Sequence, residues 1–594
     1  MKYIWRLLWG YWWQLGLLVA ATYGSVMATL SLPDFMAAII NNGIVGTDMA
    51  VIWHNGWQMI AVTLAGAVGT IVSVFFATRI ATGLSQQLRD QVFARVEDYA
   101  VADFNRFSTA SLITRSTNDI QQIQSTAIML LRIALMAPIM AVAGLQKALA
   151  NAPSLSWIIA LAVAVLLVVI IGLFIAAMPR FQRLQSMVDK LNLVARENLT
   201  GLRVVRAFHT EAVEEAKFDA VNHELTKLNL IVNRLMMVME PVMMLVMNLA
   251  SVAVVWYGAL AIGDGRLAIG NMMAFLQYAL QVIMSFLMIS MVFIMAPRAA
   301  VSVRRVAEVL DTKPSITDPA KPQPLAPGGT GRIEFRNVTF AYPGADEPVL
   351  SNISFVAEPG QTTAFIGSTG SGKSTLVNLI PRFYDVSAGQ ILLDGVDIRK
   401  LRLTDLAASQ IGYVPQKGVL FRGSIASNIA YGEPEADKAA IAHAAEVAQA
   451  SDFIAQLDDG MESAVAQGGS NVSGGQRQRL AIARALAAQP QVYIFDDSFS
   501  ALDARTDAAL RRQLMQEVTG KTVLIVGQRI NTIAQADNII VLDEGKIVGQ
   551  GRHQELMKTC AVYQEIAASQ LSEGELAVLE RPAPLGTAAQ GGAL

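Results

Sequence analysis

Long runs without charged residues fill much of the first half of this chain, and they limit most strongly how it can fold. Residues 155–178 form the clearest run, which is uncharged, rich in Val, Ile and Leu, and long enough to cross a bilayer as a helix. Residues 7–33 are also uncharged and predict a retained membrane helix, because a cleaved signal peptide has a shorter apolar core. Four further spans are predicted at residues 57–78, 129–150, 242–263 and 267–296. The sequence therefore predicts a polytopic α-helical membrane domain with six transmembrane helices over residues 1–310.

A change in composition along the chain predicts a second, soluble domain. Apolar residues make up 53% of the chain and charged residues 16%, but the apolar excess lies before about residue 300. Residues 311–330 contain five prolines and little periodicity, which is typical of a linker. We expect a soluble domain over residues 331–569 and a disordered tail over residues 570–594, which are rich in Ala, Gly and Pro. The net charge of -2 gives no reason to expect a nucleic-acid partner, and the single cysteine excludes an intrachain disulfide.

The distribution of basic residues predicts the orientation of the membrane domain. Residues 179–234 hold nine Lys and Arg, whereas the loops expected on the other side hold only Lys147 and Arg266. Because positive charge is retained on the cytoplasmic side, both termini are expected there. The connections at residues 79–124 and 179–234 are long and helical in pattern, so the membrane helices should continue well into the cytoplasm.

The second half carries two stretches that predict a phosphate and metal site. Gly367 to Ser374 fits the pattern G-x-x-x-x-G-K-[ST] and follows a short apolar run at residues 363–366. Glycines let consecutive backbone N–H groups converge on phosphates, with the lysine on the β- and γ-phosphates and the serine hydroxyl on Mg²⁺. A second apolar run, residues 492–495, ends in Asp496 and Asp497, and a strand that ends in an acid commonly presents it to a metal or phosphate.

Together with Ser473-Gly474-Gly475-Gln476 and Ser500-Ala501-Leu502-Asp503, these stretches resemble the ATP-binding cassette (ABC) proteins. The membrane half resembles that of bacterial six-helix, type IV exporters, and residues 104–119 and 198–218 are similar to their coupling regions. The resemblance implies an α/β P-loop nucleotide-binding domain fused to the six helices, using ATP and Mg²⁺. In this family a chain with one cassette is a half-transporter that dimerises, because each signature faces the γ-phosphate bound by the other subunit.

The resemblance assigns roles to individual residues. Tyr342, otherwise an ordinary tyrosine at a strand end, would stack on adenine. Mg²⁺ would be held by Ser374, Gln416 and Asp496, and the catalytic positions are those of Lys373, Asp497 and Gln528. The full set of expected nucleotide contacts is Tyr342, Gly367, Ser368, Thr369, Gly370, Ser371, Gly372, Lys373, Ser374, Thr375, Gln416, Ser473, Gly474, Gly475, Gln476 and Asp503.

Two of these positions depart from the family pattern. Asp497 stands where the family has a catalytic Glu, and Gln528 stands where it has a His. The shorter carboxylate is withdrawn by roughly 1 Å, a misplacement that can cost on the order of 10²-fold in rate. We therefore predict a degenerate ATP site, completed in a heterodimer by a half-transporter with intact Glu and His. The pair would export amphipathic compounds, as multidrug-type exporters do, across a bacterial plasma membrane. The alternatives are a lipid or lipid-linked precursor flippase, a slowly hydrolysing homodimer, and an ATP-binding regulatory subunit.

Candidate substrate contacts lie in the fifth and sixth spans, which are rich in methionine. Flexible methionines such as Met243, Met284 and Met288 suit a cavity for varied apolar ligands, although packing or lipid-facing roles explain them equally well. Glu240 lies near the start of the fifth span, where a carboxylate is either a substrate contact or a solvated or Arg-paired group at the interface.

Overall fold

A computed structural model describes residues 2–325, 328–407 and 410–570 of the chain. Its contacts divide the chain into two units. The first unit contains the described residues up to Glu97 together with Thr109–Thr312, and the second contains Asp98–Ser108 and the described residues from Lys313 onward. The short segment Asp98–Ser108 therefore groups with the second unit, although the sequence placed all of residues 1–310 in one membrane domain.

The first unit is built from long helices. Its helices are α1 (Lys2–Trp9), α2 (Trp12–Ala38), α3 (Met49–Glu97), α5 (Thr109–Thr114), α6 (Ile120–Asn151), α7 (Ser156–Thr200), α8 (Leu202–Phe208), α9 (Glu211–Gly263) and α10 (Ile269–Asp311), with α4 (Val101–Arg106) between α3 and α5 in the second unit. Among the described residues, six helical stretches are long and apolar enough to cross a membrane, which confirms the predicted number of spans. The longest helix, α9, has 53 residues, far more than the roughly 20 that cross a bilayer. The expected long helical extensions are thus present.

The first predicted span is wrong at both ends. Its helix starts at Trp12, after a separate short helix, and continues through Pro33 to Ala38 and a π-helical turn at Ile39–Ile44. A proline can lie inside a membrane helix because neighbouring groups satisfy the carbonyl that it leaves unpaired. The sixth helix, α10, ends at Asp311, the residue at which the predicted linker begins. Residues 312–325 form neither helix nor strand.

A polar cluster connects three helices of the first unit. The Asp34 carboxylate on α2 accepts hydrogen bonds from Lys147 Nζ at 2.6 Å and Asn151 Nδ2 at 3.1 Å, both on α6. It also accepts one from the Tyr278 hydroxyl on α10. Lys147 lies near the end of the third predicted span, next to the loop expected on the non-cytoplasmic side, and the ion pair with Asp34 compensates its charge there.

The second unit contains two main β-sheets. Its strands are β1 (Ile333–Phe340), β2 (Leu350–Ala357), β3 (Thr362–Gly367), β4 (Ala388–Leu393), β5 (Val396–Asp397), β6 (Ile411–Val414), β7 (Gly423–Ser424), β8 (Ala464–Val465), β9 (Val492–Asp496), β10 (Thr522–Val526), β11 (Asn538–Asp543) and β12 (Lys546–Gly551). One sheet has the order β2-β1-β4-β5 and the other β12-β11-β3-β10-β9-β6. In the larger sheet β6, β9, β10, β3 and β11 are parallel neighbours. The predicted α/β class is confirmed.

Helices cover the sheets of the second unit. They are α11 (Lys373–Asn378), α12 (Leu403–Ala407), α13 (Ile425–Ile429), α14 (Lys438–Val447), α15 (Ser451–Ala455), α16 (Gly474–Ala487), α17 (Ala504–Glu517), α18 (Ile530–Ile533), α19 (His553–Thr559) and α20 (Ala561–Gln570). Strands β9 and β10 are buried along their whole length, as expected for parallel strands covered on both faces. Since carboxyl ends of parallel strands share one edge, the loops after β3, β10 and β9 emerge side by side. Gln570, placed in the predicted tail, is helical, and residues 571–594 lie outside the described residues.

Candidate nucleotide-binding site

The loop between β3 and α11 has the geometry of a phosphate cradle. Gly372 has φ of +96°, and a Cβ there would lie 2.7 Å from the Leu350 side chain, so only glycine fits. The Lys373 ammonium folds back over the loop and donates to the Gly367 carbonyl at 2.9 Å, the Ser368 carbonyl at 2.7 Å and Ser371 Oγ at 3.2 Å. Burial lowers the pKa of Lys373 below its usual value. A phosphate would restore the stabilisation of this ammonium that burial removes.

A hydroxyl and a carboxylate converge beside this loop. Ser374 Oγ at the start of α11 donates to Asp496 Oδ1 at the end of β9, at 2.8 Å. Burial raises the pKa of Asp496, while the Ser374 hydrogen bond opposes that rise. Within the described ranges no three or more His, Cys, Asp and Glu side chains form a metal site. The oxygen donors of Ser374 and Asp496 fit Mg²⁺, which commonly takes one or two protein ligands and completes its shell with waters and substrate phosphates.

Asp497 is held by two neutral amides. Its backbone is left-handed, with φ of +49°, and its Oδ2 accepts from Gln528 Nε2 at 2.7 Å and from Gln416 Nε2 at 3.2 Å. Burial raises the pKa of the carboxyl, and the hydrogen bond from Gln416 opposes the rise. Gln416, predicted to bind the metal, thus contacts Asp497 through its amide nitrogen, and its amide oxygen is the atom that could reach Mg²⁺.

Tyr342 lies beside the phosphate loop, as its predicted adenine contact requires. Its hydroxyl is 3.0 Å from Thr375 Oγ1 on α11, so two expected nucleotide contacts touch each other. Its ring packs edge-on against Phe340 and Tyr384, with centroids 4.9 Å and 5.2 Å away. Adenine stacking remains a prediction for this residue.

The signature residues form a capped helix start. Ser473 Oγ accepts from the Gln476 N–H at 3.2 Å, and Gln476 Oε1 accepts from the Ser473 N–H at 2.8 Å, which is a capping box at the start of α16. Gly474, next to Ser473, is exposed. Asp503 caps α17 by accepting from the Thr506 N–H at 3.0 Å, and this bond lowers the pKa of its carboxyl. These exposed helix starts suit contacts with a second subunit, which remain predicted.

The predicted substrate residues do not share one environment. Met243 is buried in the core of the first unit, with 4% of its surface exposed, whereas Met284 exposes 42%. Met288 is half-buried and Glu240 is exposed. The burial of Met243 favours the packing alternative for that residue.

Two residues near the site were missed by the sequence analysis. The Tyr413 hydroxyl on β6 donates to Asn378 Oδ1 at 2.8 Å, and Gln570 on α20 hydrogen bonds to the backbone of the loop that carries Gln528. Tyr413 directly precedes the Val-Pro-Gln stretch that includes Gln416, so its position was a usable signal. No local pattern distinguishes Gln570, because its partners lie 40 and 42 residues away.

The buried charge of Asp496 predicts a stability change with a defined pH dependence. Asp496→Asn keeps an acceptor for Ser374 and removes the charge, so the nucleotide-free domain should gain on the order of 1 kcal/mol at pH 7, or about 2–4 °C. Because burial raises the pKa of Asp496, the native protein takes up this proton first on acidification. The gain should therefore shrink as pH falls through that raised pKa and vanish below the ordinary value of 3.8. Thermal unfolding between pH 7 and pH 4 measures it, and a gain independent of pH would contradict this origin.

Comparison with known proteins identifies the family. Sequence models match the ABC transporter family over residues 350–500 and the ABC transporter transmembrane region over residues 15–286. An uncharacterized ABC transporter ATP-binding protein of Mycobacterium tuberculosis is 42% identical over 549 residues, covering 92% of this chain and 94% of that protein. An ATP-dependent lipid A-core flippase of Syntrophus aciditrophicus is 32% identical over 500 residues, covering 82% and 81%. The structure is similar to that of a bacterial Atm1-family ABC exporter with ATP bound, with a TM-score of 0.77, 26% identity and coverage of 96% and 98%. The chain therefore belongs to the ABC transporters and has the fold of an exporter half-transporter.

Proposed function

We propose that this chain is the degenerate-site subunit of a heterodimeric ABC exporter that moves amphipathic compounds out of a bacterial cell. The observation that supports this proposal best is the hydrogen bonding of Asp497. One oxygen of this carboxylate, Oδ2, accepts from Gln528 at 2.7 Å and from Gln416 at 3.2 Å. Hydrogen bonds accepted by the ionised carboxylate favour that form, so they make it a weaker base toward an attacking water.

The identity of Gln528 strengthens this argument. A glutamine amide can donate to Asp497, but it stays neutral, whereas an imidazole can carry a positive charge beside a developing phosphate charge. Asp497 is also one methylene shorter than the Glu of the family pattern. The two departures from the family pattern meet in one contact, because the Gln528 amide donates to Asp497 Oδ2 at 2.7 Å.

The groups that bind ATP, in contrast, are intact. Lys373 covers the phosphate loop, Ser374 and Asp496 form a pair suited to Mg²⁺, and the signature start at Ser473 is capped and exposed. Mg²⁺, when bound, would neutralise charge on the phosphates. This chain would hold ATP and present its signature to the partner's ATP, while both termini remain on the cytoplasmic side.

ATPase measurements on membranes test this proposal. This chain alone should hydrolyse ATP at background rate, and co-expression with a half-transporter that carries the Glu and His should produce activity. Replacing the partner's Glu with Gln should abolish that activity. In this inactive pair, Asp497→Glu together with Gln528→His in this chain should raise the ATPase rate by about 10-fold or more. Asp497→Glu alone is the matched control and should restore less, because Gln528 remains.

Two outcomes would contradict the heterodimer proposal. Robust hydrolysis by this chain alone that is lost in Asp497→Ala would make Asp497 a working base in a homodimer. Tight ATP binding without turnover in any subunit combination would instead favour a regulatory subunit.

A second candidate function is lipid flipping, with the same ATP chemistry. The similarity to a protein named as a lipid A-core flippase supports it. Transport assays separate the two candidates: a fluorescent phospholipid or glycolipid would change leaflets in proteoliposomes, whereas an amphipathic dye would be exported from cells. Stimulation of the pair's ATPase by only one of these ligand classes would identify the cargo.

A further inference from the structure

The last described residue, Gln570, makes two hydrogen bonds to the loop that carries Gln528. Gln570 Nε2 donates to the Gln528 carbonyl at 2.7 Å, and Gln570 Oε1 accepts from the Ile530 N–H at 2.9 Å. Both ends of one side-chain amide are thus used, and they bracket Arg529. Such a paired contact fixes the position of the backbone more tightly than one bond could.

The Ile530 contact has a clear structural cause. Ile530 is the first residue of α18, and the residue before it, Arg529, provides no side-chain cap. N–H groups in a first helical turn lack partners within the helix, so a cap from elsewhere in the chain is stabilising. Gln570 supplies that cap from α20, about 40 residues farther along the chain.

Buried side chains and a hydrogen bond hold helix α20 in place, so it can fix the position of Gln570. Tyr563 and Ala567 on this helix are fully buried, and the Tyr563 hydroxyl lies 2.7 Å from His553 Nδ1 on α19. Residues 563, 567 and 570 have spacings of four and three, which place them on one helix face. The face that anchors α20 is thus the face that presents Gln570 to the loop.

The loop of residues 528–530, which Gln570 contacts, also lines a cleft at the ATP site. The cleft has a volume of about 310 Å³, and Asp497, Gln528 and Gln570 all contribute to its wall. A side chain on α17 also holds this segment: Arg511 donates to the Asn531 carbonyl at 2.9 Å while it pairs with Asp507. From this hydrogen-bonded backbone segment the Gln528 side chain extends to Asp497 and donates to its carboxylate.

We propose that Gln570 is a positioning residue for the ATP site: it fixes the loop so that the Gln528 amide stays at Asp497 and the γ-phosphate position. The last described helix thereby becomes part of the nucleotide-binding machinery. This role rests on ATP binding by this chain and holds whether or not the chain works in a heterodimer.

Retention of ATP by this chain tests the proposal directly. Full-length protein in membranes is loaded on ice with 8-azido-[α-³²P]ATP and chased with unlabelled ATP, and the label crosslinked to this chain is followed with time. Gln570→Ala should release nucleotide about 5-fold faster, in line with the loss of one or two hydrogen bonds. Gln570→Glu keeps the acceptor for Ile530 but cannot donate to Gln528, so its release rate should be intermediate.

Two comparisons distinguish positioning from a structural effect. Gln564→Ala is the matched control, since Gln564 lies on the same helix and its side-chain amide donates to the Met557 carbonyl at 2.7 Å rather than to the Gln528 loop; it should release ATP at the wild-type rate. In a Gln528→Ala background, Gln570→Ala should have no further effect, because the side chain through which it acts is gone. An unchanged release rate in both Gln570 variants, an equal effect of Gln564→Ala, or additive effects with Gln528→Ala would overturn the proposal.

Discussion

Gly474→Asp in this chain should reduce ATP hydrolysis by the assembled transporter on the order of 100-fold or more. In the proposed dimer this signature faces the ATP of the partner, and a carboxylate near its γ-phosphate costs a few kcal/mol even at surface dielectric values. Gly474 is the first residue of α16, and a Cβ added there would meet no atom within 4 Å in this chain. The new side chain is therefore tolerated by the fold. An acid in the first turn also interacts favourably with the helix dipole, so stability should not fall.

Gly474→Asn is the matched control for this change. It adds the same number of heavy atoms at the same exposed site without the charge, so the difference between the two variants measures phosphate repulsion alone. Both are assayed for ATPase activity in the pair, together with thermal unfolding. Equal activity of the Asp and Asn variants would show that the charge at position 474 does not cause the loss of ATP hydrolysis.

The comparison with Asp497→Ala in the same pair separates the two roles proposed for this chain. If hydrolysis occurs on the partner's Walker motifs, the signature of this chain is needed and its Asp497 is dispensable. Gly474→Asp should then abolish activity that Asp497→Ala barely changes. Similar losses in both variants would instead assign hydrolysis to this chain's own site.

The sequence predicted the parts of this site that local patterns specify. Strands β3 and β9 were found because short apolar runs end directly in Gly367 and in Asp496. Their adjacency to β10 follows from the parallel order of the sheet, which brings the Gln528 loop between them. The six membrane helices were found for a similar reason, since bilayer thickness demands long apolar runs.

Contacts between distant segments could not be predicted in this way. The Asp34–Lys147 pair joins residues 113 apart in the chain, and Asp103 accepts from Ser315 N at 2.7 Å and from Ser315 Oγ at 2.9 Å across 212 residues. That second contact joins α4 to the proline-rich segment after α10 and helps to explain why Asp98–Ser108 groups with the second unit. Hydrogen bonds of single polar side chains leave no periodic signal, so the structure was needed to find them.

Lys373→Met should weaken ATP binding by this chain roughly 100-fold or more, since charge-assisted hydrogen bonds to phosphate contribute about 1.5–3 kcal/mol each. Methionine keeps most of the aliphatic stem in the buried position, and it removes an ammonium whose burial is already unfavourable. The fold should therefore survive. Lys438→Met, on the exposed start of α14, removes the same charge away from the loop and should leave ATP binding unchanged.

The pH dependence of binding gives a second test of Lys373 with a defined sign. Burial lowers the pKa of this ammonium in the empty site below its usual 10.5, and a bound phosphate raises it again because it favours the charged form. ATP affinity should therefore decline as pH rises through the lowered pKa, earlier than for an ordinary lysine, and the bound site should take up protons in that window. Photolabelling titrations between pH 7 and pH 10 measure this decline in the wild-type chain. Lys373→Met should bind weakly at every pH without the decline, because only the ammonium links proton uptake to phosphate binding in this loop.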